Sequence, residues 1–170
     1  MELAARCAEL HCDCGLLHSR FTFSDRQKIE NKWVSYFDKS GRRDRNEKGR
    51  VLIGTQILEQ SLDLDADFMI SRVAPADLLF QRLGRLWRHR DTIRSAAARA
   101  EIWILSPNLQ DALEKPYQAF GASAYVYSPY ILCRTIEVFK DRSGLNIPSD
   151  IPVMIESALG ERNETGLFSV

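Results

Sequence analysis

Four short apolar runs set the strongest limit on what this chain can fold into: Gly15-Leu16-Leu17-His18, Val51-Leu52-Ile53, Phe68-Met69-Ile70 and Ile102-Trp103-Ile104-Leu105. Each is continuous rather than alternating, as in a strand buried on both faces. Helix-patterned stretches separate them. Residues 2–10 place Leu3, Ala4, Cys7 and Leu10 at helical spacing, and Ile29, Trp33 and Phe37 stripe a second helix. Ser24 and Gln27 predict its start through a Ser-x-x-Gln capping box. A third helix is expected over residues 76–89, ahead of the last strand, which Pro107 stops. Apolar strands alternating with helices define an α/β class with a parallel sheet covered on both faces. Beyond Pro107 the pattern turns helical, with one helix expected over 125–139 and a short one over 148–155. The expected division is an α/β core over 1–106 and a mainly helical segment over 107–170.

Charge narrows the function classes. Lys plus Arg number 23 and Asp plus Glu also 23 in 170 residues, so the chain is no polycation, and any nucleic-acid binding must use local patches. No apolar run approaches the roughly 18–20 residues that span a bilayer, and no signal-peptide layout opens the chain. No membrane partner is expected, and the expected compartment is the cytoplasm. Cys7, Cys12 and Cys14 cluster near His11 and His18, while Cys133 lies far away. The Cys12-Asp13-Cys14 spacing does not suit a zinc knuckle, so reduced and mostly buried thiols are expected, with no metal ligands assigned.

Parallel sheets gather ligand chemistry at the carboxyl ends of their strands. There stand His18-Ser19-Arg20 and Gly54-Thr55-Gln56. The Gly-Thr end of a buried strand, followed by a polar helical turn, can hold a phosphate, with Asp63 or Asp65 accepting hydrogen bonds from a ribose or from facing arginines. A cap and an acidic turn would account for the same residues. In the helix expected over 76–89, Leu79, Leu83 and Leu86 form an apolar stripe, and Gln81, Arg85 and Arg88 a second face about 200° round. Two guanidiniums one turn apart suit a polyphosphate; a solvated basic face is the plain alternative. Gly84, costly inside a helix, would admit a close neighbour. The basic loop from Lys39 to Arg50 either touches DNA or is simply solvated; Tyr125, Tyr127 and Tyr130 are expected in core packing rather than in base stacking. No Gly-x-Gly-x-x-Gly follows a strand, which excludes a Rossmann dinucleotide binder.

Taken together, these segments resemble the second RecA-like domain of a superfamily 2 DExD/H-box helicase. Leu16-Leu17-His18-Ser19-Arg20-Phe21 resembles motif IV, Thr55 to Asp65 motif V, and Gln81-x-x-Gly84-Arg85-x-x-Arg88 motif VI. Glu59-Gln60-Ser61-Leu62-Asp63-Leu64-Asp65, Ala74-Pro75-Ala76-Asp77-Leu78-Leu79 and the run from Gln81 to His89 are similar to the CRISPR-associated helicase-nuclease of type I systems. Trp87 departs from that family, which often has histidine there.

The resemblance implies specific roles. Arg85 and Arg88 would be arginine fingers for ATP with Gln81 assisting, while Asp63, Gly84 and Glu59 would lie near the nucleotide. His18, Ser19, Arg20, Thr55 and Gln56 would line a single-stranded DNA track. ATP and Mg2+ would be held mainly by a first RecA-like domain, and the family's further partners are its HD nuclease portion and a guide-RNA surveillance complex. No Gly-x-x-x-x-Gly-Lys-Ser/Thr, no Asp-Glu-x-His and no His-Asp pair occurs in the chain. It is therefore expected to be half of an ATP-dependent helicase, inactive alone. The resemblance places a strand before the first helix that this sequence does not contain, and self-association through the sheet edge so left is an expectation. The competing readings are a non-catalytic stand-alone fragment that binds DNA or a CRISPR partner, and a DEAH-like RNA helicase fragment; details around motif V argue against the latter.

Overall fold

A computed structural model describes residues 2–18, 20–37, 48–55, 58, 63–163 and 168. All four apolar runs are strands: β1 (Asp13–Leu17), β2 (Arg50–Gly54), β3 (Phe68–Arg72) and β4 (Glu101–Leu105). Between them lie α1 (Glu2–Glu9), α2 (Phe23–Phe37) and α3 (Ala76–Leu83). After β4 come α4 (Leu109–Glu114), α5 (Pro116–Phe120), a 3-10 turn (Gly121–Tyr125), α6 (Pro129–Phe139) and α7 (Ile151–Leu159). β1 and β2 pair in parallel from Asp13 opposite Arg50 to Leu17 opposite Gly54, while β3 pairs with β4. The fold is α/β with parallel strands. None of the described helices is long and apolar enough to cross a membrane.

The chain forms two compact units, Met1–Met69 with Arg82–Glu101, and Ile70–Gln81 with Ile102–Val170. In the first, α1 and α2 both lie against β1. Leu17, Cys7 and Trp33 are buried there. Trp33 comes from the α2 stripe, and its indole occupies the space a side chain would need at position 15. A Cβ on Gly15 would sit 2.1 Å from Trp33 Cε2. Gly15→Ala must therefore push a rigid, buried ring off the strand. The expected cost is about 1–3 kcal/mol, read as a lowered midpoint in urea.

Helix α2 begins two residues before where Ser24 and Gln27 suggest. Thr22 is the cap: its Oγ1 accepts from the Asp25 N–H at 3.3 Å and donates to Asp25 Oδ2 at 2.7 Å. That reciprocal pair also puts a carboxylate in the positive first turn.

The second unit has its own core, built on Val73, Leu109, Ala112, Phe120, Leu132, Cys133 and Ile136. Asn108 caps α4 by accepting from the N–H groups of Gln110 and Asp111. The helix expected from residue 125 starts only at Pro129, which fixes the first helical φ, because residues 121–125 close a separate 3-10 turn. The short helix expected over 148–155 lies further on, in α7. Buried Arg134 joins α6 to α7, donating to the carbonyls of Ser157 and Gly160 at 2.8 Å each. These are orphan carbonyls of a helix end, which a cation is suited to satisfy. Tyr127 packs against the core as expected, but Tyr125 is 80% exposed and Tyr130 42%.

Candidate nucleotide and nucleic-acid site

The parallel register ends β1 and β2 side by side, so His18 and Thr55 emerge from neighbouring strand ends. The Thr55 N–H donates to Leu17 O at 3.3 Å, and Thr55 O accepts from the Leu58 N–H at 3.0 Å. His18 Nδ1 accepts from the Arg20 N–H at 3.1 Å, and the imidazole stacks on Phe21 with centroids 4.2 Å apart. With Nδ1 accepting, the neutral ring carries its proton on Nε2 as a donor. Thr55 and Arg20 are exposed. This edge thus offers a hydroxyl, an imidazole and a guanidinium beside one another in sequence and register. Ser19, Gln56 and Glu59 lie outside the described residues. So does most of the basic loop; of its described ends, Lys48 pairs with Asp13 at 2.7 Å and Arg50 lies over the Tyr36 ring.

A second cluster joins the segment at residues 63–67 to the one at 85–94. The expected helix over 76–89 is corrected here: α3 ends at Leu83, and Gly84 follows it rather than lying inside it. Arg85 and Leu86 turn back through N–H bonds to the carbonyls of Arg82 and Leu83. The chain then pairs with Ala66, whose N–H donates to Arg85 O at 2.8 Å and whose carbonyl accepts from the Trp87 N–H at 3.0 Å. A long-range bridge thus replaces the helical ladder. Trp87 takes φ 49°, held by Nε1 donating to Asp67 O and by the Arg94 guanidinium over its ring. Gln81, Arg85 and Arg88 consequently do not share one helix face. Gln81 stays in α3 within the second unit, and both arginines follow the helix in the first.

What the bridge does achieve is to bring Arg88 to Asp63. Arg88 Nε lies 3.2 Å from Asp63 Oδ1, and His89 Nε2 lies 3.3 Å from the same oxygen. Both Arg88 and Asp63 are about half exposed, so the pair is open to a ligand. Arg85 is half-buried.

Beneath this open pair lies a closed one. Asp65 is fully buried, and its carboxylate accepts from Thr92 Oγ1 at 2.6 Å, Arg94 Nη2 at 2.5 Å and the His89 N–H at 3.4 Å. Arg94 also binds Asp67. Burial pushes the Asp65 carboxyl up, but the hydrogen bonds from Thr92 and Arg94, the Arg94 charge and the His89 N–H outweigh it and hold it below the usual value. Sequence reasoning named Asp65 as an acceptor but missed Thr92 and Arg94. The alternation Asp63, Asp65, Asp67 was the available signal, because an extended segment sends such residues to one side.

All four cysteines are free thiols; Cys7 and Cys133 are buried, and burial pushes the Cys133 thiol up to about 11. Among the described residues no group of three or more His, Cys, Asp or Glu could hold a metal ion.

Parallel strands flanked by helices place the fold in the RecA-like α/β class. The family model described as "CRISPR-associated nuclease/helicase Cas3, C-terminal" matches residues 1–91, and the chain belongs to that family. It is 40% identical over 136 residues to the CRISPR-associated endonuclease/helicase Cas3 of Escherichia coli K12, covering 79% of this chain and 14% of that one. It superposes on T. fusca Cas3 with a TM-score of 0.77 at 36% identity, covering 92% of this chain and 18% of the other. T. fusca Cas3 has also been solved as Cas3-ADP, Cas3-ATP and Cas3-AMPPNP. A structure described as "CRISPR RNA-guided surveillance complex, pre-nicking" matches with a TM-score of 0.74 at 32% identity, over 92% of this chain and 19% of that chain. The chain therefore spans less than a fifth of the length of these relatives.

Proposed function

We propose that residues 1–106 serve as the second RecA-like half of an ATP-driven single-stranded-DNA motor in type I CRISPR interference, with 107–170 an accessory helical segment. In this reading Arg85 and Arg88 face the γ-phosphate with Gln81 assisting, and Asp63, Gly84 and Glu59 line the nucleotide. Bound ATP supplies the phosphoryl transfer that powers movement, and a first RecA-like domain supplies the phosphate loop and most Mg2+ contacts. His18, Ser19, Arg20, Thr55 and Gln56 grip the DNA backbone without reading sequence. The remaining partners are the HD nuclease portion and the guide-RNA surveillance complex, in the cytoplasm.

The observation that carries this reading is the Asp63–Arg88 contact at 3.2 Å. A half-exposed guanidinium held by one carboxylate is oriented yet free to turn its remaining donors to phosphoryl oxygens. The chain is therefore mixed with the Walker-containing portion of the family, and ATP hydrolysis is followed with single-stranded DNA. Turnover that needs both pieces is the expected result. A stable mixed complex without turnover would instead make this chain a non-catalytic binding fragment.

A further inference from the structure

His89 stands between the two layers of the cluster at residues 63–67 and 85–94, and the motor reading gives it no task. Its backbone is fastened to the buried layer on both sides. The N–H donates to Asp65 Oδ1 at 3.4 Å, and the carbonyl accepts from the Thr92 N–H at 3.3 Å. Thr92 is itself tied to Asp65 through its hydroxyl at 2.6 Å. Asp65 is fully buried and also bound by Arg94, so the side chain of residue 89 projects from a fixed base. Both backbone bonds use main-chain atoms and survive replacement of the imidazole. A substitution at this position therefore isolates what the ring does.

The ring reaches the open layer. Nε2 lies 3.3 Å from Asp63 Oδ1, the oxygen that Arg88 Nε approaches to 3.2 Å. A ring nitrogen that faces a carboxylate carries its hydrogen. This nitrogen is closed to water and off the line of a hydrogen bond, so its donor is unspent. A small turn of the Asp63 carboxylate completes the bond and removes a standing cost. Asp63 needs such a neighbour. Its side chain is 53% exposed, and a contact with an equally exposed arginine is weak and does little to fix it. The imidazole has two torsions, a fixed base and 24% exposure, which makes it the stiffer of the two partners.

We infer that His89 is a positioning residue for Arg88: its imidazole donates to Asp63 and holds the carboxylate that orients the guanidinium toward phosphoryl oxygens. The inference rests on the motor reading and adds to it a residue that touches neither nucleotide nor DNA.

The test is ATP hydrolysis by the full chain assembled with the family's Walker-containing portion and single-stranded DNA, with the thermal midpoint of each variant measured beside it. His89→Ala lowers kcat about three- to tenfold, no further than loss of Asp63 itself, because the ring acts only through that carboxylate. KM for ATP stays nearly unchanged, as for an interaction realised in the transition state. His89→Gln, whose amide can donate from about the place of Nε2, recovers most of the rate, whereas His89→Phe fills the space and recovers none. In an Asp63→Ala background His89→Ala adds nothing. A reading independent of turnover is the nitrogen-15 signal of His89 Nε2 in the chain, which moves on Asp63→Asn. Unchanged kcat in His89→Ala beside a large loss in Arg88→Ala overturns this inference and leaves the motor reading standing. So does an equal loss in the Asp63→Ala background, or an unmoved Nε2 signal. A lowered midpoint without rescue by glutamine makes the ring a packing element and overturns it too. No turnover by the assembled unaltered chain, or near-normal turnover in Arg88→Ala, overturns both readings.

Discussion

Asp65→Asn lowers the thermal midpoint of the chain by about 6–12 °C at pH 7. The size follows from what the substitution strands. Asp65 is fully buried, and it faces Arg94, whose side chain is only 6% exposed. Removing one partner of a buried pair costs about 3–5 kcal/mol, because the surviving charge keeps its desolvation penalty. Arg94 still has Asp67, which places the cost near the lower end, about 3 kcal/mol, and each kcal/mol is worth about 2–4 °C in a chain of this size. Acid gives an independent reading of the same group. The folded carboxyl lies below its unfolded value of about 3.9. Its contribution is therefore complete above about pH 4 and is lost as pH falls through the lower folded value. The unaltered chain accordingly loses more stability than the D65N chain in that window. A midpoint shift under 2 °C at pH 7, or parallel acid profiles, would contradict the buried-pair account.

The same cluster explains why some of the structure was legible and some was not. The burial on both faces expected of the four strands is not met, since Leu16, Val51, Phe68, Ile70, Trp103 and Leu105 are exposed. The strands could still be read from their consecutive apolar residues, and each run emerged as a strand. The end of α3 could not. Leu79, Leu83 and Leu86 satisfy a helical period, yet Leu86 reaches its place through a bridge to Ala66, twenty residues earlier. No local pattern reports a partner at that distance. The cap of α2 failed differently, since Thr22 and Ser24 each head a plausible box and the Asp25 contact decides between them.

At the site, Asp63 was read as an acceptor for a ribose or for facing arginines, and the structure puts it against Arg88. Thr92 and Arg94 went unseen because they follow the last motif in a stretch without periodicity. Tyr125 was misjudged for a related reason: apolar character was read as burial, but the 3-10 turn leaves its ring in water.

Arg88→Ala, by contrast with Asp65→Asn, leaves the midpoint nearly unchanged and removes activity. Its pairing with Asp63 is half exposed, and exposed pairs are worth about 0–1 kcal/mol. An arginine finger acts on charge that spreads over the transferring phosphoryl oxygens, and its loss costs about 10³–10⁵ in turnover. In this reading ATP hydrolysis by the chain assembled with the family's Walker-containing portion should fall by at least the lower figure. Arg88→Lys should restore little, because an ammonium cannot present two parallel donors from a fixed plane. Asp63→Ala should have a smaller effect, about tenfold, since the carboxylate orients the guanidinium without touching phosphate in this reading. Arg85→Ala tests the second guanidinium in the same assay. Near-normal turnover in both arginine variants would leave Asp63 and Arg88 as a surface pair with no part in the chemistry. A large loss at Arg88 with an unmoved midpoint separates the two layers of this cluster. The open pair then belongs to catalysis, and the closed pair beneath it, Asp65 with Arg94, to the fold that aims it.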